Sequence, residues 1–186
     1  MLARAFAGDP TSAWLFPGAS TRAGRLLRWY RLTARVLTAT GEGWGTDDLS
    51  SAAFWLSMGA GPGAPASGRV GKLLRWNLEA AALMGRRLPA AAWTTARVHR
   101  LHPQGPGWYL AVLGTDPARQ RQGLASAALA PVLERCDRLG IQAYLDTATG
   151  SDVHFYEGRG FRVVGELSPA RAPHFWVMRR APRAER

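Results

Sequence analysis

Gln120-Arg121-Gln122-Gly123-Leu124-Ala125 is the stretch whose residue types and surroundings could do chemistry. It follows an apolar, strand-like run, Trp108 to Leu113, and a turn, Gly114-Thr115-Asp116-Pro117. It opens a segment in which Leu124, Ala128, Val132 and Cys136 recur every four residues beside Leu129 and Leu133, the pattern of a helix with one apolar face. The first turn of such a helix has free backbone N–H groups and a partial positive charge, and glycine lets another molecule approach the backbone closely. Strand, glycine loop and helix in this order suit the binding of a diphosphate, and Arg119 and Arg121 add formal positive charge at the same end. The Walker A lysine and the Gly-x-Gly-x-x-Gly fingerprint are both absent. The spacing predicts a helix over 121–139 with the anion on the N–H groups of residues 121 to 126. Pro131, which lacks an N–H, predicts a kink inside it.

A second signal lies downstream. Gln142 to Thr147 alternates like a strand, and Val153 to Glu157 reads as a helix carrying Phe155-Tyr156. Gly160 stops that helix, and Arg162-Val163-Val164 begins another strand. Gln120-x-x-Gly123-x-Ala125 together with Tyr156-Glu157-x-x-Gly160-Phe161 resembles the GCN5-related N-acetyltransferase (GNAT) superfamily. Gly107 to Gly114, Ala143 to Thr147, Phe155 to Phe161 and the late Phe175-Trp176-Val177-Met178 are similar, in particular, to puromycin N-acetyltransferase and its relatives. That likeness covers residues 98 to 182 and extends weakly to Gly43-Trp44, Ala53-Phe54-Trp55 and Phe6-x-x-Asp9-Pro10.

The resemblance implies an α/β (α+β) fold: a mixed, mostly antiparallel, twisted central sheet flanked by helices. The strand ending at Leu113 and the strand Gln142–Thr147 should run parallel and part at their C-terminal ends. One domain over 1–186 is expected, with 105–182 as an acetyl-CoA-binding core. The superfamily begins with a strand and a long helix, whereas Met1 to Phe6 read as the end of that helix. The first strand is therefore expected to be missing. An internal start codon, or a sheet edge covered otherwise, for example by a second copy in a homodimer, would account for that.

The same resemblance implies roles. Acetyl-CoA is the acyl donor, with its thioester beside Leu113, Gly114 and Thr115 and a bulge expected at Gly114. Arg121, Gln122, Gly123, Leu124, Ala125 and Ser126 would meet the diphosphate. Thr149 and Asp152 stand where relatives place asparagines that bond the pantetheine arm. Tyr156 matches the general acid; a phenol with a pKa of about 10 stays protonated at pH 7 and can donate to a leaving thiolate. The other reading of Tyr156 is a core tyrosine. Asp146 is the first candidate base, since relatives carry a glutamate there, and its shorter side chain suggests a water relay. His154, His102, Glu42 and Asp47 are further options. No metal is expected.

Composition bounds the remaining possibilities. The 186 residues are 47% hydrophobic, which fits a globular fold. No apolar run reaches membrane-spanning length, and no basic-then-apolar leader is visible. The single cysteine, Cys136, falls on an apolar helix face and permits no disulfide within the chain, so a reducing cytoplasm is the default. The net charge is +11, and all but one of the 24 basic residues are arginine, Lys72 being the exception. These arginines are scattered singly or in pairs without interleaved aromatics, which argues against nucleic-acid binding.

In the N-terminal half, Asp9-Pro10 and Phe16-Pro17-Gly18 read as turns, and Thr21 to Thr38 as an amphipathic helix with arginines at 22, 25, 28, 31 and 35. Gly43–Thr46 and Ala52–Ser57 read as strands and 59–68 as a Gly/Pro-rich loop. Helices are expected over 69–85 and 88–100, split at Arg87-Leu88-Pro89. Two functions fit. One is an acetyl-CoA-dependent N-acetyltransferase acting on a small-molecule amine, by analogy an aminonucleoside or another antibiotic-like metabolite. The other is a GNAT-fold protein that binds acyl-CoA or a metabolite without acetyl transfer, as a sensor or a repurposed biosynthetic enzyme.

Overall fold

The computed structural model describes residues 1–58 and 78–183. The expected loop 59–68, and the expected helix 69–85 up to residue 77, lie outside the described residues. Three helices come first: α1 (Leu2–Ala5), α2 (Pro10–Leu15) and α3 (Ala19–Thr40). Asp9-Pro10 opens a helix and is not the plain turn that the sequence suggests. Asp9 is the N-cap of α2, accepting a hydrogen bond from the Ser12 N–H at 2.7 Å, and Pro10 fills the first helical position, where its missing N–H costs nothing. α3 buries Leu26, Leu32 and Leu37 and turns Arg25, Arg28, Arg31 and Arg35 outward.

The strands are β1 (Glu42–Gly45), β2 (Ser51–Met58), β3 (Gly107–Thr115), β4 (Gln142–Thr147), β5 (Arg162–Leu167) and β6 (Phe175–Arg180). They form one six-stranded sheet in the order β1-β2-β3-β4-β6-β5. Only the β3–β4 pair is parallel, as the sequence reading expected. Among the described residues no strand precedes Glu42, and β1 forms the sheet edge. Residues 78–84 are helical, and a tight turn at Gly85–Arg87 leads into α4 (Leu88–Leu101), with its proline in the first turn.

The β3–β4 crossover is α5 (Leu124–Leu139). Its apolar face, Ala128, Leu129, Val132, Leu133 and Cys136, packs with Trp55, Trp108, Leu110, Ala143 and Leu145 in the main core. Leu129 and Val132 are fully buried, and burial of each side chain contributes roughly 1.5–3 kcal/mol. The helix is continuous through Pro131. It begins three residues later than expected, at Leu124, because Arg121 and Gly123 both take left-handed backbone angles, φ 61° and 79°. α6 (Gly150–Glu157) follows β4 and buries Tyr156.

Two features part β3 from β4. Their pairing runs from Gly107↔Gln142 to Leu110↔Leu145 and then stops. At that point β3 carries an extra residue: Phe54 of β2 faces Val112 while Trp55 faces Leu110, so Ala111 bulges. The bulge is thus at Ala111, not at Gly114 as the sequence suggested. Gly114 is required for another reason. A Cβ there would meet Leu2 Cδ2 at 2.6 Å and Phe6 Cε2 at 3.1 Å, so its absence lets α1 lie against the end of β3.

Candidate functional site

Where β3 leaves β4, a cavity of about 950 Å³ opens between α5, α6 and the N-terminal segment. One wall consists of Leu113, Gly114 and Thr115 at the end of β3 and of Arg121 and Gly123 to Ser126 at the start of α5. Past Leu110 this end of β3 pairs only with β2, and the Ser51 hydroxyl tethers it through Thr115 Oγ1 at 2.9 Å. The edge facing β4 has no strand partner beyond Leu110. The left-handed Arg121 and Gly123 turn the loop into a concavity of N–H groups that leads directly into the open first turn of a 16-residue helix. A Cβ on Gly123 would meet no protein atom within 4 Å, so the space above it belongs to the cavity.

α6 supplies the floor. Thr149, Asp152 and Tyr156 all line the cavity, and Tyr156 is 8% exposed. Burial, then the charges of Asp152 and Asp146, push the Tyr156 phenol well above its ordinary value, with Arg159 opposing. The phenol is therefore a proton donor across the neutral range. Burial also raises Asp152, against a 3.4 Å hydrogen bond from Thr147 Oγ1. Facing α6 are Phe6, Asp9 and Pro10 from the N-terminal segment. Burial raises Asp9 too, against its hydrogen bonds from Ser12.

Two expected positions do not reach the cavity. Gln122 turns its side chain to Arg119, accepting from Nε at 3.0 Å, while Gln120 lines the cavity in its place. Asp146 sits on the opposite face of β4 from Leu145. Its Oδ1 accepts from the Tyr109 hydroxyl at 2.8 Å and lies 3.0 Å from His102 Nε2. Among the other candidate bases, exposed His154 turns its ring back to Gly150 O of its own helix, and Glu42 of β1 is paired with Arg135 of α5. Asp47 is exposed beyond β1. Among the described residues, no three His, Cys, Asp or Glu side chains are grouped to hold a metal ion. None of the described helices is long and apolar enough to cross a membrane.

Sequence reasoning missed Arg159. It lines the cavity, stacks over Phe155 at 3.5 Å and donates to Ser126 Oγ at the first turn of α5. Its Nε is buried without a partner among the described residues. It occupies one of the unread positions inside Tyr156-Glu157-x-x-Gly160-Phe161, and nothing in the spacing marks it. Asp9 was legible: an Asp before a Pro-led helix start is an N-cap signature.

Residues 85–161 match the model of the acetyltransferase (GNAT) family. The matched stretch includes both the α5 loop and the Tyr156 segment, and it supports the GNAT superfamily for this chain. The fold agrees. A crystal structure of a histone acetyltransferase HPA2 and related acetyltransferase from Corynebacterium glutamicum superposes with a TM-score of 0.59 at 19% identity, covering 99% of this chain and 88% of that one. The Drosophila melanogaster polyamine N acetyltransferase gives 0.44 at 13% identity, covering 72% and 69%. For the ribosomal-protein-S18-alanine N-acetyltransferase of Escherichia coli the score is 0.36 at 20% identity, covering 42% of this chain and 57% of that one.

Proposed function

We propose that residues 1–186 are a single GNAT domain, with 105–182 as its donor-binding core, that transfers the acetyl group of acetyl-CoA to the amine of a small molecule. The observation that carries this reading is one cavity joining the parted end of β3, the open N-terminus of α5 and the Tyr156 hydroxyl-bearing face of α6. The diphosphate would rest on the N–H groups of residues 121 to 126, and Arg159 would add a fixed positive charge. Those N–H groups of Leu113 to Thr115 that point away from β2 would bond the thioester carbonyl and pantetheine arm, with Thr149 and Asp152 alongside.

The acceptor ammonium gives one proton through a water relay to Asp146, which stands outside the cavity lining, and the neutral amine attacks the thioester carbon. As the C–S bond breaks, the thiolate takes the Tyr156 proton, and the phenolate is reprotonated from the acylated nitrogen. One proton leaves to solvent per turnover. Asp9 and Asp152, both carboxylates in the cavity wall, favour a cationic acceptor, and an antibiotic-like amine is one such class.

Titration calorimetry with acetyl-CoA, followed by thiol release over a panel of small amines, tests this. Binding with amine-dependent release is expected. Binding without release over the whole panel would favour the non-transferring alternative, which draws support from Asp146 standing outside the cavity lining. No binding would remove both.

A further inference from the structure

We propose that His102 and Tyr109 are positioning residues that make Asp146 the base of the acceptor site. The inference rests on the acetyl-transfer reading above. Asp146 is the first β4 residue beyond the last β3–β4 pair, so it stands at the mouth of the parting strands. On its other side it stays paired with Val177 of β6, which fixes its backbone. Two donors reach one of its oxygens: the Tyr109 hydroxyl from β3 at 2.8 Å, and His102 Nε2 from the end of α4 at 3.0 Å. Both act on Oδ1, and among the described residues no group bonds Oδ2. The carboxylate is therefore locked in rotation with one oxygen open, and its side chain is 19% exposed.

The surroundings suit this role. His102 and Tyr109 lie with ring centroids 5.0 Å apart, and Tyr144 and His99 complete the packing at 5.1 and 4.7 Å from His102. Asp146 is the only carboxylate among these groups, so its charge has donors around it and no competing anion. Burial, then the Asp146 charge, holds the Tyr109 phenol well above its ordinary value, so it stays a donor at any pH the protein would meet. Burial, then His102, lowers His99, which favours its neutral form. A base positioned by two fixed donors reorganises little when it takes a proton, which lowers the cost of the transfer once the acceptor or a bridging water is within reach. Neither donor touches the acceptor; each acts through Asp146.

The test compares Asp146→Asn, Tyr109→Phe and His102→Gln with wild type across pH, using thiol release with an amine from the panel that the wild type acetylates. Asp146→Asn should lose about 100-fold or more in kcat. Tyr109→Phe and His102→Gln should each lose about tenfold, the effect of one charge-assisted hydrogen bond, with acetyl-CoA affinity unchanged by calorimetry. All three losses should shrink as pH rises and the amine arrives already neutral. They should also shrink at pH 7 with a weakly basic acceptor, such as an aromatic amine. Losses equal at every pH and with every acceptor would mean the residues only hold the fold, and would overturn the proposal. Wild-type turnover in Asp146→Asn would overturn it too, while leaving acetyl transfer intact. Should His102→Gln fail to fold, as judged by thermal melting, Tyr109→Phe decides alone, since it keeps the ring and removes one oxygen. Wild-type protein that binds acetyl-CoA but acetylates nothing would instead refute the reading on which the proposal rests.

Discussion

The two walls of the cavity are built in opposite ways. The α5–α6 wall is assembled from one stretch of chain, 113–159, in which each turn follows from local residues: a left-handed glycine, an open helix start, a short helix presenting Tyr156. The opposing wall, residues 5–10, has almost no structure of its own. α1 is a single turn, and it is held by distant groups: Arg4 pairs with Asp116, Leu2 and Phe6 rest on the bare backbone of Gly114, and Phe6 stacks on Tyr30 at 4.9 Å. A wall coded locally suits a ligand common to a whole superfamily. A wall held by long-range contacts can be rebuilt without disturbing the donor site, which is what a changing acceptor requires.

The sharpest break in that comparison would come from Tyr156→Phe. Loss of the proton donor should lower kcat by about 10²–10⁴-fold with acetyl-CoA affinity nearly unchanged, read by steady-state thiol release and calorimetry. Next is the support behind the α6 wall. Arg180 is 3% exposed and donates to Asp137 through Nη1 and Nη2, at 2.8 and 2.7 Å, while its Nε donates to Arg159 O. Asp137→Asn should cost about 3 kcal/mol of unfolding free energy at neutral pH, measured in denaturant. Arg180's hydrogen bonds hold the Asp137 carboxyl below its ordinary value. That contribution is complete above about pH 4 and is lost as pH falls through the lowered value, so the acid limb of the melting curve should be flatter in Asp137→Asn than in wild type.

Gly123→Val should weaken acetyl-CoA binding by about tenfold or more, both by occupying cavity space and by straining φ 79°, with circular dichroism still native. The smallest effect belongs to the other wall. Asp9→Asn keeps a capping oxygen and removes the charge, so stability should change by less than about 1 kcal/mol. The KM of a cationic acceptor should rise several-fold with donor affinity untouched. A change in acetyl-CoA affinity instead would erase the distinction between the walls.

Legibility in the sequence followed the same division. The sheet pattern around β3–β4, the crossover helix and the Tyr156 helix could be read because each rests on periodicity and a nearby glycine. α2 was missed although Asp9-Pro10 carried its signal. The start of α5 was placed early because left-handed angles at a non-glycine residue, Arg121, leave no mark in composition. The bulge was assigned to Gly114 since glycine favours bulges, whereas the true shift at Ala111 is set by register against β2. Asp146 and His102 were each singled out as candidate bases but not as a pair, and Tyr109 was not singled out: His102 and Tyr109 are 44 and 37 residues from Asp146, and the tertiary fold brings them together. Arg159 was invisible for a similar reason, since its partner Ser126 lies 33 residues earlier.

The field at Tyr156 has a consequence for the order of events. Asp152 and Asp146 both add to the grip on its proton, so that grip depends on whether their charges are met. With the donor alone in the cavity, no acceptor cation meets these carboxylates and the phenol is at its least acidic. A cationic acceptor beside Asp152, and the proton it hands to Asp146, would each relax the hold. Thioester cleavage would then be easiest once an amine is present to receive the acetyl group, and water arriving alone would find the leaving thiolate without a willing acid. If the chain transfers acetyl groups as proposed, the site would thereby protect the donor from wasteful hydrolysis without any moving part.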